Sequence, residues 1–264
     1  MYFEKGGGIV LRILLTNDDG IRARGIQALW QELSDIADVY VVAPDVEKSA
    51  MSQAITVQHP IRLDEYLSDG PFFKAWKVGG TPTDCVKIAL ETLLVDEMPD
   101  IIVSGINHGP NLGTDILYSG TVSAAIEAAL HGLPAIAVSL DAWDHCNFTV
   151  AAQFMKKLVL KVVTHPLPPN TLLNVNVPAL SEADITGVAI TKLGFRQYEN
   201  TFERREDPRG RSYYWMGGHL VEDDTAEDSD VNAVKKGKIA VTPIHFDLTN
   251  YSLLHTLEAW KLTL

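Results

Sequence analysis

Hydrophobic positions along the first two thirds of the chain fall into two alternating patterns. Short runs with little polar interruption, at residues 9–16, 39–43, 101–104, 134–140 and 172–177, read as strands buried on both faces. Between them lie segments with apolar residues at helical spacing. Residues 25–33 place Ile26, Leu29, Trp30 and Leu33 on one face, residues 121–130 are Ala-rich, and residues 148–163 form a third such segment. Thr81 as cap and Pro82 in the first turn start a further helix, which runs to about residue 94. Residues 55–63 and 72–78 resemble two more strands, with the turn cluster Ser68, Asp69, Gly70 and Pro71 between them. That pair predicts a hairpin inserted beside the main sheet. The alternation as a whole predicts an α/β fold. It is a doubly wound, mostly parallel, Rossmann-like sheet in a three-layer domain with right-handed crossovers.

The pattern breaks after about residue 190. Residues 195–218 are rich in Arg, Tyr and Gly without clear periodicity. Glu222, Asp223, Asp224, Glu227, Asp228 and Asp230 follow, an acidic run that reads as solvated surface. Residues 238–242 return to a strand, and residues 253–262 to a closing helix. Residues 195–235 are therefore expected to form an extended arm used in oligomerisation. Residues 9–264 are expected to be one domain, with 1–8 a flexible extension. Nothing in that extension resembles the apolar core of a signal peptide, and a cytoplasmic protein is expected.

Composition narrows the function classes. Acidic residues number 34 and basic residues 22, a net charge of −12, which argues against binding a nucleic-acid polymer. No stretch approaches the ~18 consecutive apolar residues of a membrane span. Two cysteines, Cys85 and Cys146, are too few for a disulfide scaffold, and Cys85 reads as a small buried hydrophobe. A small anionic substrate remains compatible with the charge, because a local cation can reverse the field.

In a doubly wound sheet, ligands bind beyond the carboxyl ends of the strands. The loops that leave those ends hold the unusual residues. Asn17-Asp18-Asp19-Gly20 follows the first strand. Two adjacent carboxylates at a buried strand end repel each other and lose hydration, and a divalent cation relieves both costs. The alternative is a turn in which Asp19 caps the following helix. The position lacks the G-x-G-x-x-G of a dinucleotide site, and no Walker A sequence is present. A covalent aspartyl-phosphate route is disfavoured, since the second acid of that motif is replaced by Gly20 or Ile21.

Ser49, in the loop after Pro44-Asp45, is a neutral oxygen donor or a plain surface hydroxyl. The loop Ser104-Gly105-Ile106-Asn107-His108-Gly109-Pro110-Asn111 is the most informative. Asn107 suits completion of a metal shell, and Asn111 suits a substrate oxygen. His108 is a candidate base or an exposed loop imidazole. Ser119-Gly120-Thr121 opens a helix, giving an anion site from free N–H groups and the helix dipole, or a simple cap. The aromatics Tyr118 and Trp215 are candidates for stacking a base, and read as core or interface residues. Together the loops place a cation site opposite a phosphate-sized anion site, the requirement for metal-assisted phosphate ester hydrolysis.

This set of motifs, with Gly80-Thr81-Pro82-Thr83-Asp84, Tyr118-Ser119-Gly120-Thr121, Asp207-Pro208-Arg209-Gly210 and Thr242-Pro243, resembles the stationary-phase survival protein (SurE) family. The resemblance implies a metal-dependent phosphatase of nucleoside 5′- and 3′-monophosphates, with one Mg²⁺ or Mn²⁺ ion per subunit. It implies Asp18, Asp19, Ser49 and Asn107 as metal ligands, with Asp18 and Asp19 also catalytic. Asn111, Ser119, Gly120 and Thr121 would hold the phosphate, and the protein would be a homodimer or homotetramer. Short polyphosphate or another phosphate ester is the alternative substrate. A nucleotide-binding or assembly module without turnover is the other reading.

Overall fold

The computed structural model describes residues 10–67, 74–144, 146–199, 201–221 and 226–263. The expected extension at residues 1–8 and the turn at Ser68, Asp69, Gly70 and Pro71 lie outside them.

Among the described residues the main sheet has nine strands. The first half supplies β1 (Arg12–Thr16), β2 (Asp38–Pro44), β3 (Leu63–Glu65), β4 (Lys74–Val78) and β5 (Ile101–His108). The second half supplies β6 (Ala135–Asp141), β7 (Thr171–Pro178) and β8 (Gly187–Ile190). Four short strands outside the sheet follow: β9 (Gln197–Glu199), β10 (Phe202–Glu206), β11 (Ser212–Met216) and β12 (His219–Val221). β13 (Lys238–His245) completes the sheet, whose order is β3-β4-β2-β1-β5-β6-β7-β13-β8. The run from β4 to β7 is parallel throughout.

Helices α1 (Arg24–Leu33), α2 (Pro82–Ile88), α3 (Gly120–Leu130) and α4 (Thr149–Thr164) connect these strands. Alternation along β1 divides the core. Ile13 and Leu15 pack with Ile26 and Leu29 of α1 and Met155 and Val159 of α4. Leu14 points the other way, among Cys85 and Val86 of α2 and Val122 and Ala125 of α3. The sheet is thus covered on both faces, and Ile26, Leu29, Trp30 and Leu33 form the buried stripe of α1. Cys85 is fully buried and, like Cys146, free.

Three expectations need correction. The pair expected at 55–63 and 72–78 does meet as an antiparallel hairpin, but inside the sheet rather than beside it. β4 is a member of the sheet, parallel to β2, and only residues 63–65 of the first segment pair with it as an antiparallel edge. Residues 54–56 instead tie to the start of α2. Thr81 Oγ1 donates to the Ala54 carbonyl, and the Thr56 N–H donates to Asp84. Pro60 also cannot donate to a ladder. The strand expected to stop at Ser104 continues to His108 across an irregularity between Ser104 and Asn107. Of the span 195–235, β9–β12 form two exposed antiparallel ladders. Residues 229–235 rejoin the domain as α5 (Asp230–Lys235), with Asp230, Val231 and Val234 buried.

The last helix, α6 (Tyr251–Ala259), buries none of its residues. No helix of the described residues is long and apolar enough to cross a membrane.

Candidate active site

Strand order reverses between β1 and β5, because β2 lies on one side of β1 and β5 on the other. The crevice beyond that switch point is where this class of sheet binds ligands. Asn17 follows β1 and shapes the turn there, its Nδ2 donating to the Gly20 carbonyl at 2.9 Å. Gly20 has φ +96°, a conformation that glycine adopts without a Cβ penalty. The Lys48 N–H holds the Asp18 carbonyl at 2.7 Å, so the loop after β2 is fastened to the carboxylate turn.

Asp18 is 3% exposed. Burial raises its carboxyl above the usual range, opposed by the hydroxyl of Thr121, which donates to Asp18 Oδ1 at 2.5 Å. Asp19 is half-buried and accepts the backbone N–H of His108 at 3.1 Å. Its carboxyl is pushed up to about 6, first by burial and then by the charge of Asp18. Two neighbouring carboxylates thus resist ionising together, which a divalent cation corrects.

Asn107 stands on the irregular end of β5, one residue before the His108 N–H that meets Asp19. A Cβ on Gly105 would stand 2.3 Å from the Val138 carbonyl oxygen, and one on Gly25 would stand 1.9 Å from that of Ile106. Both glycines let neighbouring elements close on the segment before Asn107. Asn107 Nδ2 donates to the Gly109 carbonyl at 2.8 Å, which leaves Oδ1 as the acceptor end of the amide. The ring of His108 is exposed, and its backbone rather than its imidazole meets Asp19. Ser49 is exposed, with its hydroxyl donating to Glu47 Oε1 at 2.8 Å. Glu47 is the group that the sequence reading passed over. It lines the same cleft as Asp19, and its charge raises both aspartates. A third acid two residues after Asp45 was the available signal.

The residues expected to hold an anion open α3. Ser119 is its cap, with Oγ accepting the Val122 N–H at 3.1 Å. A Cβ on Gly120 would stand 2.9 Å from Asp18 Cβ and 3.1 Å from Asp18 Oδ2. The helix N-terminus and the buried carboxylate therefore share one wall. Asn111 is fixed through its backbone. Its N–H donates to Asn176 Oδ1, and Asn174 and Asn176 both donate to its carbonyl. Its Nδ2 donates to Ser139 Oγ at 2.8 Å. Ser139, Asn174 and Asn176 are fully buried supports that sequence reasoning missed. The signal was present in Asn174-Val175-Asn176, two polar residues at strand period inside an apolar run.

Among the described residues no three His, Cys, Asp or Glu side chains converge as a metal cluster. The candidate donors are instead two adjacent carboxylates, one unusually buried, with the Asn107 amide at the end of β5. All-oxygen donors of this kind suit a hard divalent cation.

The family model described as Survival protein SurE matches residues 13–200. A protein of Heliobacterium modesticaldum named 5′-nucleotidase SurE is 54% identical over 250 residues, covering 95% of this chain and 92% of that protein. One of the same name from Syntrophomonas wolfei is 54% identical over 246 residues, 92% of each. The crystal structure of the SurE protein from Aquifex aeolicus superposes with a TM-score of 0.82 at 37% identity. That superposition covers 95% of this chain and all of the Aquifex chain.

Proposed function

Because this chain belongs to the SurE family, we propose that it is a divalent-metal-dependent 5′-nucleotidase, hydrolysing nucleoside monophosphates to nucleoside and phosphate. The activity extends to 3′-monophosphates. The observation that carries this reading is the shared wall between Asp18 and the N-terminus of α3, where a cation and a phosphate would meet.

Asp18, Asp19 and the Asn107 amide oxygen would hold one Mg²⁺ or Mn²⁺ ion, with Ser49 joining once its hydroxyl leaves Glu47. When bound, the ion supplies a Lewis acid that activates water and neutralises phosphoryl charge. Asp19, the more accessible carboxylate, orients the attacking water and takes its proton as the P–O bond to the nucleoside breaks, and solvent protonates the departing nucleoside oxygen. The Gly120 and Thr121 N–H groups, the helix dipole and the Asn111 amide bind the equatorial phosphoryl oxygens. Ser119 acts through the helix, holding its first turn in place by its cap. Thr121 keeps Asp18 oriented through its hydroxyl.

The assembly is a homodimer or homotetramer. Leu253, Leu254, Leu257 and Trp260 on or beside α6 are all exposed, as are Tyr214, Trp215 and Met216 on the arm. Copies of this chain are the natural cover for such surfaces. Two free cysteines fit a reducing compartment, in keeping with a cytoplasmic enzyme.

The test is phosphate release from nucleoside 5′- and 3′-monophosphates, ribose 5-phosphate and short polyphosphate, first with EDTA and then with added Mn²⁺ or Mg²⁺. Metal-restored release favouring nucleotides supports the reading. Release favouring polyphosphate moves the substrate class, and no release under either metal overturns the proposal.

A further inference from the structure

Next to the carboxylate pair lies a cleft of about 410 Å³, within the size range of small-molecule sites. Asp19 and Glu47 line it, and His108, Trp143 and Phe148 contribute aromatic side chains. Trp143 is 70% exposed, an unusual state for the largest apolar side chain. Its position has a local cause. Gly109 has φ +107°, and a Cβ there would stand 2.9 Å from Trp143 Cη2. The indole therefore lies against the backbone of the segment that carries Asn107, fixed on that side and exposed to solvent elsewhere. The His108 ring is tilted 53° to it, with centroids 6.4 Å apart.

We propose that Trp143 is the stacking wall of a nucleobase subsite. The inference rests on the nucleotidase reading and deepens it. A phosphate held between Asp18 and the α3 N-terminus leaves the rest of the ester to extend past Asp19, which lines this cleft. A planar ring is what an exposed indole recognises, since every base has a π-face. Sugar phosphates and polyphosphate have no flat group to place there, so the wall selects nucleotides over them. Arg24 and Asp144, also in the lining, offer a donor and an acceptor to the edge of a base. Tyr118 and Trp215, the aromatics that stood out in the sequence, do not line the cleft, although both are exposed.

The test compares the wild type with Trp143→Ala and Trp143→Phe, using AMP and ribose 5-phosphate as paired substrates. The ratio of kcat/KM for AMP over that for ribose 5-phosphate is expected to fall about tenfold in Trp143→Ala, through KM for AMP. Trp143→Phe should keep most of the ratio. An unchanged ratio in Trp143→Ala overturns the subsite. If the wild type hydrolyses neither substrate, the nucleotidase reading fails separately, and equilibrium binding decides. A preference for AMP over ribose 5-phosphate that Trp143→Ala abolishes sustains the stacking wall. Equal binding of the two by the wild type overturns it.

Discussion

Asp115 Oδ2 receives Arg196 Nη1 at 2.7 Å, an ion pair in which the two side chains are only 18% and 11% exposed. The pair bolts the base of the arm to the turn Gly113–Leu117, which links Asn111 to Ser119. Tyr198 donates to the same carboxylate at 2.7 Å, and Thr114 exchanges two hydrogen bonds with Arg196. Asp230 adds a second fastening by accepting the N–H groups of Gly113 and Gly194. Removing one partner of a largely buried pair is strongly destabilising. Arg196→Ala should therefore cost about 3 kcal/mol by urea denaturation and raise KM for nucleotide. Arg196→Lys should recover only part, because it lacks the planar fork. Unchanged stability in Arg196→Ala would show that the clamp holds nothing.

Asp18→Asn should remove most activity and most metal binding while the fold survives. The neutral amide also escapes the desolvation that raises the carboxyl of Asp18. Thermal melts with EDTA should therefore show the variant at least as stable as the wild type, and added Mn²⁺ should no longer raise its Tm. Near-normal turnover would remove Asp18 from the mechanism.

Gly120→Ala tests the shared wall directly. Alanine is the better helix former, so local propensity favours the change. The new methyl would nevertheless stand 2.9 Å from Asp18 Cβ. We expect a fall in kcat/KM of roughly a hundredfold, about 2.7 kcal/mol, with helix content retained by circular dichroism. Wild-type kinetics would mean that the helix and the carboxylate do not need this approach.

The carboxylate pair also sets a pH dependence. Asp19 titrates near 6 in the metal-free fold, against an ordinary value of 3.8. Between those values the folded state binds more protons than the unfolded one. This group's contribution to stability therefore declines as pH rises from about 4 through 6. With EDTA, that loss should appear in the melts as pH is raised. Metal affinity should run the other way, weakening as pH falls through 6, because protons compete for the same oxygens. Isothermal titration with Mn²⁺ from pH 5 to 8 measures this, and a flat profile would exclude Asp19 as a ligand.

Much of the fold was legible because β1, β2, β6 and β7 are buried on both faces, and such strands read as continuous apolar runs. The helix faces were legible for the same reason, as Ile26, Leu29, Trp30 and Leu33 show. The parallel course of the central strands was legible from their alternation with helices, but where that alternation stops an apolar run reads the same in either direction. The membership of β4 in the main sheet and the antiparallel course of β13 were hidden for that reason. Four short edge or exposed strands, β9 to β12, bury almost nothing and left no apolar signature. At the site, Asp18, Asp19, Asn107 and the start of α3 stood out through residue type and position after a strand. Glu47 and Asn176 did not: Glu47 sits in an exposed loop and meets the site through Ser49 beside it, and Asn176 acts through Asn111, distant in sequence. Asp230 was hidden inside an acidic run that looked like solvated surface, yet it is fully buried.

The reversal of β13 has a consequence for where the chain goes next. Lys238 starts beside the end of β7, near the carboxylate edge of the sheet, and His245 finishes opposite Thr171, where β7 begins. Eight residues of strand, roughly 26 Å, carry the chain from one rim of the molecule to the other. The leucines of α6 therefore emerge at the rim remote from the chemistry, while the arm springs from the rim that contains it. A partner gripping the distant helix can be lost by dilution, or by changing Leu254 to a charged residue, without a single phosphate contact being altered. A partner seated on the arm cannot leave so quietly, since Arg196 would transmit its departure to the loop between Asn111 and Ser119.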